Sequence, residues 1–163
     1  MRFRLGFDGK MLNDDQINEY HRKVEDNVRK HGYHSTFVFS DNDPSFCYST
    51  GICESFRIPE LFISSLPQNL SHSLVEAYAA KFKTTDFIPL GNRLEDLTDR
   101  FPVYLMEVSK DKLKEYALSS VRFYGERNYK YLQLIYPDTN GQFPGEEGYD
   151  YDQIVLSEIP TVK

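Results

Sequence analysis

In "NDDQINEYHRKVEDNVRKHG" the apolar residues Ile17, Tyr20, Val24 and Val28 recur every three or four positions, one stripe of a helix. Asn13 suits the N-cap, Asp14 and Asp15 suit the positive end of the helix dipole, and Gly32 ends the helix. The period then changes. "HSTFVF" and "FCYSTG" are short β-branched and aromatic runs on either side of the turn "SDNDPS", which predicts a hairpin. An irregular link leads to a third strand, "ELFISS". Helical spacing returns after Pro67 and Asn69, with Leu70, Leu74, Tyr78 and Phe82 on the inner side. Residues 84–100 read as a mixed loop with a short strand near Leu94 to Leu97. "FPVYLMEV" is a strand opening at a proline, which suits an edge or a strand start. Ser109 caps a predicted third helix with Leu113, Tyr116, Val121 and Tyr124 inward and Gly125 at its end. "YLQLIY" is the last strand, and Pro137 with "DTNG" turns the chain out of it. The tail from Tyr149 reads either as one short strand or as surface chain.

Helices alternate with strand pairs, not with single strands. This order predicts an α+β fold, a mixed and mainly antiparallel sheet with about three helices packed on it. The 163 residues read as a single domain, residues 1–163, large enough to bury about 70% of the unfolded surface without disulfides or metal. The chain has 12 Tyr and 12 Phe but no Trp, and buried tyrosines require hydrogen-bond partners for their hydroxyls. A net charge of −6, with no run of Lys or Arg longer than two, disfavours nucleic acid as a partner. Cys47 and Cys53 are too few for a disulfide framework or a four-ligand zinc site and read as reduced thiols. The N-terminal "MRFRLGFDGK" has no apolar core of a secretory signal, and no stretch approaches the roughly 20 apolar residues of a membrane span. These features predict a cytoplasmic protein that needs no cofactor.

Catalytic motifs are scarce. "TNGQFPGEEG" is rich in glycine but lacks the Gly-Lys-Ser/Thr and following helix of a phosphate loop. His21, His31, His34 and His72 do not have the spacing of a metal site, so no metal is expected. The alternation of side chains along the strands is more informative. Phe46, Tyr48 and Thr50 share one face of their strand, and Tyr131, Gln133 and Ile135 share one face of theirs. If the two faces meet, Tyr48, Thr50 and Gln133 form a polar patch inside an aromatic surround. That patch is either a satisfied structural network or a ligand site. Asp138 fits turn chemistry in Pro-Asp-Thr-Asn-Gly, whereas Glu60 at the start of a strand has no such local role. Two converging carboxylates would support acid–base chemistry.

Gly32-Tyr33, Tyr48-Ser49-Thr50-Gly51-Ile52, Pro59-Glu60-Leu61 and the closing "LQLIYPDTNGQFPGEEGY" together resemble the bacterial and phage domain-of-unknown-function family numbered 4262. The resemblance covers about residues 28–149, and the closing motif is its specific part. Tyr33 and Tyr136 stand at aromatic positions that are tryptophan in the family pattern, Gly145 at a usual tryptophan, and Ile58 where relatives often carry histidine. The family carries no established activity, so the resemblance marks positions only. Tyr48, Thr50, Glu60, Gln133, Tyr136 and Asp138 are the candidate ligand-binding residues. The expected function is non-catalytic binding of a small molecule or a protein partner. One alternative is a hydrolase or transferase using Glu60 and Asp138 with Tyr48 as a donor. Another is an inhibitor or immunity-type protein that meets a basic enzyme.

Overall fold

A computed structural model describes residues 3–5, 13–40 and 43–160. The first helix, α1 (Asp14–His31), begins with a capping box between Asn13 and Gln16 and ends at Gly32, whose φ of 92° is the left-handed value glycine adopts without strain. It follows a three-residue strand, β1 (Phe3–Leu5), which the helical and strand periodicities do not announce. The predicted hairpin is present as β2 (His34–Ser40) and β3 (Phe46–Thr50), although residues 41 and 42 of its turn lie outside the described residues. The link after β3 contains a short helix, α2 (Ile52–Phe56), before β4 (Glu60–Ser64). Helix α3 (Gln68–Phe82) follows, and Leu94 bridges Val103 just ahead of β5 (Tyr104–Val108).

The predicted third helix is two pieces, a 3-10 turn over Lys110–Leu113 and α4 (Leu118–Tyr124). Ser109 caps the first piece through Asp111 N, as its position suggests. The inward face differs from the one predicted. Leu113, Ala117, Ser120 and Tyr124 face the core, and Val121 is 36% exposed. Ser120 takes the inward place because its hydroxyl pairs with Thr50 Oγ1 at 2.7 Å and Ser49 O at 3.0 Å on β3, so hydrophobicity points to the wrong residue. The last strand, β6 (Tyr131–Ile135), is followed by loops, and residues 151–160 form no strand.

The sheet order is β1-β2-β3-β4-β6-β5. All pairs are antiparallel except β4 with β6, which run parallel with Glu60 opposite Tyr131 and Phe62 opposite Gln133. The fold is therefore α+β, as expected. Strands β3, β4 and β6 are buried along their whole length, so both of their faces meet core. Helix α3 covers one face, packing Leu74, Val75, Tyr78 and Phe82 on Phe37, Cys47, Leu61, Ile63, Leu132 and Leu134. On the other face the 3-10 turn and α4 place Leu113, Ala117 and Tyr124 over Phe46, Tyr48, Phe62 and Tyr131. Helix α1 shares this second side, where the Tyr20 hydroxyl meets Thr36 of β2 at 2.9 Å. Strand β5 is the edge strand that Pro102 implies.

Candidate functional site

Glu60 is the first residue of β4 and is fully buried. A carboxylate there must find its partners within the protein, and α2 supplies them. Gly51, with φ of 100°, turns the chain so that the first N–H groups of α2 point at the carboxylate. Glu60 Oε1 accepts from Ser49 Oγ at 2.7 Å and Ile52 N at 3.1 Å. Glu60 Oε2 accepts from Gly51 N and Cys53 N, both at 3.0 Å, and from the Tyr124 hydroxyl. Burial pushes the Glu60 carboxyl above its ordinary value, while the Tyr124, Cys53, Ser49 and Ile52 donors pull it back. A carboxylate has about four lone-pair positions, and these donors occupy them.

Beside this buried group lies an open cleft of about 620 Å³, lined by Pro59, Val108, Lys110, Tyr129, Lys130 and Leu132 among others. A second hollow of about 590 Å³ adjoins it, sharing Pro59, Glu107 and Leu132. The wall is aromatic: the Tyr129 ring stacks on Tyr124 at 4.4 Å between centroids, and Lys110 Nζ stands 5.2 Å over the Tyr129 ring. Through the Tyr129–Tyr124 stack, the cleft is one side-chain layer from Glu60. Among the described residues, neither Lys110 nor Lys130 is ion-paired with a carboxylate. Cys53 is half-buried near Glu60, and burial raises its thiol, as does the Glu60 charge, against a bond from the Lys130 backbone.

The other candidates are placed as follows. The Tyr48 hydroxyl accepts from Ser119 N at 3.0 Å, and Thr50 Oγ1 lies 2.7 Å from Ser120 Oγ. These two residues clamp the first turn of α4 to β3. Ser120 also reaches Ser49 O and the Tyr131 hydroxyl. Gln133 does lie on the same face as Tyr48, two strands away with Phe62 between them. The mutual bonding expected of Tyr48, Thr50 and Gln133 does not form, because the Gln133 amide is turned to the tail. Gln133 Oε1 accepts from Leu156 N at 2.8 Å and Ser157 N at 3.1 Å, and its Nε2 donates to Ile154 O. The Tyr136 hydroxyl donates to Ser64 O at 2.6 Å.

Asp138 closes a turn. It accepts from Asn140 N and Gln142 N on one oxygen and Asp150 N on the other. Burial raises its carboxyl, but these three backbone donors outweigh burial and hold it below the ordinary value. Asp138 and Glu60 lie at opposite ends of the β4–β6 pair, separated along the strands by roughly 20 Å at about 3.3 Å per residue. They do not form an acid–base pair. Among the described residues, Gln142 Oε1 is the buried side-chain polar atom left without a partner.

Sequence reasoning missed Tyr124, Ser49, Ser120, Lys110, Tyr129 and Lys130 as parts of these arrangements. Ser49 and Ser120 carried a usable signal, since serines in strongly apolar elements imply buried hydroxyl partners. Among the described residues no three or more His, Cys, Asp or Glu side chains converge as a metal set, and no helix is long and apolar enough to cross a membrane.

A family model described as a domain of unknown function (DUF4262) matches residues 27–150. No curated protein and no solved structure matches the chain.

Proposed function

The chain belongs to the DUF4262 family, and we propose that it is a non-catalytic binding domain whose small-molecule ligand occupies the cleft over Pro59. The support for this reading is the saturation of every polar side chain that suggested chemistry. Tyr48, Thr50, Glu60, Gln133, Tyr136 and Asp138 are all engaged by groups of the protein itself. A group with its lone pairs filled by fixed donors is poorly placed to take a substrate proton. The hydrolase or transferase alternative also lacks its pair, because Glu60 and Asp138 are held at opposite ends of the sheet.

The cleft has the opposite character. Lys110 and Lys130 line the hollow together with Val108, Leu132 and Tyr129, and Glu107 is the one carboxylate among its lining residues. With two lysines against one carboxylate, that lining suits a small molecule of net negative charge with an apolar or planar body. Native mass spectrometry of the protein purified at low salt tests the reading, with the Lys110→Glu/Lys130→Glu variant alongside. The expected result is a retained small mass on the wild type that is absent from the variant. Retention of the same mass by both, or by neither, overturns it.

A further inference from the structure

Residues 152–157 lie across the sheet face that carries Gln133 and Ser64, and they are held there in an unusual way. They form no helix or strand; sheet side chains bond to their backbone, and the Gln153 side chain reaches back to the sheet end, accepting from Tyr136 N at 3.2 Å and donating to Tyr136 O at 3.0 Å. Gln133 holds Ile154 O, Leu156 N and Ser157 N. Ser64 Oγ accepts from Ile154 N at 2.8 Å and donates to Ile154 O at 3.2 Å. Ser65 Oγ donates to Asp152 O, and Lys112 Nζ to Leu156 O. Gln133 and Ser64 are each fully buried beneath this segment, which supplies the hydrogen-bond partners that buried polar atoms require.

The boundary of the family makes this informative. Gln133, Ser64 and Ser65 lie within the matched residues 27–150, and the backbone that satisfies them lies wholly beyond residue 150. The matched part of the sheet thus grips main chain that lies beyond the matched residues. Groups that read N–H and C=O of a peptide are tolerant of its sequence, as in other modes of strand recognition. Side-chain selection comes from an amide seat, where Gln153 pairs with Tyr136 N and O, and from two apolar seats, where Val155 packs beside Tyr104 and Phe143 and Leu156 joins the cluster around Phe62.

We propose that this face is a peptide-binding socket, occupied in cis by Asp152–Ser157, which takes an extended segment of a partner protein with apolar residues at the Val155 and Leu156 positions. The tail then acts as a tethered competitor, and its high effective concentration keeps the socket closed until the tail is weakened. This site is separate from the Pro59 cleft, and neither assignment depends on the other.

The test uses the full chain and a fluorescent synthetic peptide, YDQIVLSEIP, copied from residues 151–160. Leu156→Pro removes one N–H that Gln133 accepts and weakens the tail in place. By fluorescence anisotropy the peptide is expected to bind Leu156→Pro at least about tenfold more tightly than wild type, since the tethered competitor is lost. Adding Gln133→Leu to that variant is expected to abolish the gain. A folded Leu156→Pro protein, with its sheet amides still protected from exchange, that binds the peptide no better than wild type overturns the proposal. Native-state hydrogen exchange on the wild type decides the matter if Leu156→Pro does not fold. Leu156 and Ser157 amides should open well before those of β4 and β6, and their release only with global unfolding overturns the separable tail.

Discussion

Glu60 ties Ser49, the start of α2 and Tyr124 to one point, so its removal orphans several donors at once. Glu60→Ala is expected to cost about 3–5 kcal/mol in urea denaturation, the range for stripping one partner from a buried polar cluster. Glu60→Gln, which keeps the shape but turns an N–H₂ toward N–H donors, should cost less, about 1–3 kcal/mol. If Glu60→Ala leaves stability unchanged, the carboxylate is not the anchor described. His34 gives a second residue-scale expectation. Its Nδ1 lies 2.8 Å from Asn27 Nδ2 and its Nε2 lies 2.8 Å from the Tyr20 hydroxyl, an arrangement that suits the neutral ring. Burial, assisted by Lys23 and His72, lowers His34 from 6.5 to about 4. Between those values the unfolded chain binds a proton that the folded chain refuses. The stabilisation is thus complete above pH 6.5, declines as pH falls and is lost below about 4, a change on the order of 3 kcal/mol. An NMR titration should find the His34 ring midpoint near pH 4, and a midpoint above 6 would contradict this network.

At the scale of elements, α4 shows how buried hydroxyl pairing overrides hydrophobic ranking. Val121 is partly exposed, whereas Ser120 is fully buried among Thr50, Ser49 and Tyr131. Val121→Asp should therefore change stability by less than about 1 kcal/mol, and Ser120→Ala should cost about 1–3 kcal/mol by leaving buried hydroxyls unpaired. Thermal melts of the two variants check the order, and the reverse order would mean that α4 is rotated. The same contrast explains what the sequence made legible. Helix α1 was readable because a capping residue, a regular stripe and a terminal glycine all agree. The central strands were readable from their apolar runs, and Glu60 and Gln133 stood out as polar residues in those runs. Their partners were not readable, because Tyr124 and the tail come from distant positions and meet these residues only through the tertiary fold. The face of Gln133 was predicted correctly from alternation, but its direction was not, since Phe62 intervenes and the tail supplies nearer backbone groups.

For the whole molecule, the layers divide the roles. Helix α3 seals one side mainly by apolar packing, with His72 bonded to Ser35 and Tyr78 to Pro59 O, while the opposite side is fastened by hydroxyls, an amide and a carboxylate beneath α1, α4 and the tail. Tyr48, Thr50 and Gln133 are thus on this second side, where they join elements far apart in the chain, whereas Tyr136 belongs to the core under α3 and Asp138 to the turn beyond β6. The parallel pairing of β4 with β6 has a consequence for the rate at which the protein folds. Strands β2, β3 and β4 can form as a local meander, but β6 can join only after a loop of roughly 70 residues has closed, an entropic cost met before its contacts form. The insertion of β6 should then follow the rate-limiting barrier. Leu134→Ala on β6 is expected to lower stability by about 2–5 kcal/mol and to appear almost entirely as faster unfolding, whereas Phe37→Ala on β2 should slow folding. Stopped-flow chevrons would separate the two, and equal slowing of folding by both would place β6 in the nucleus. The strand that completes the sheet is on this view the one whose loss sets the lifetime of the native state.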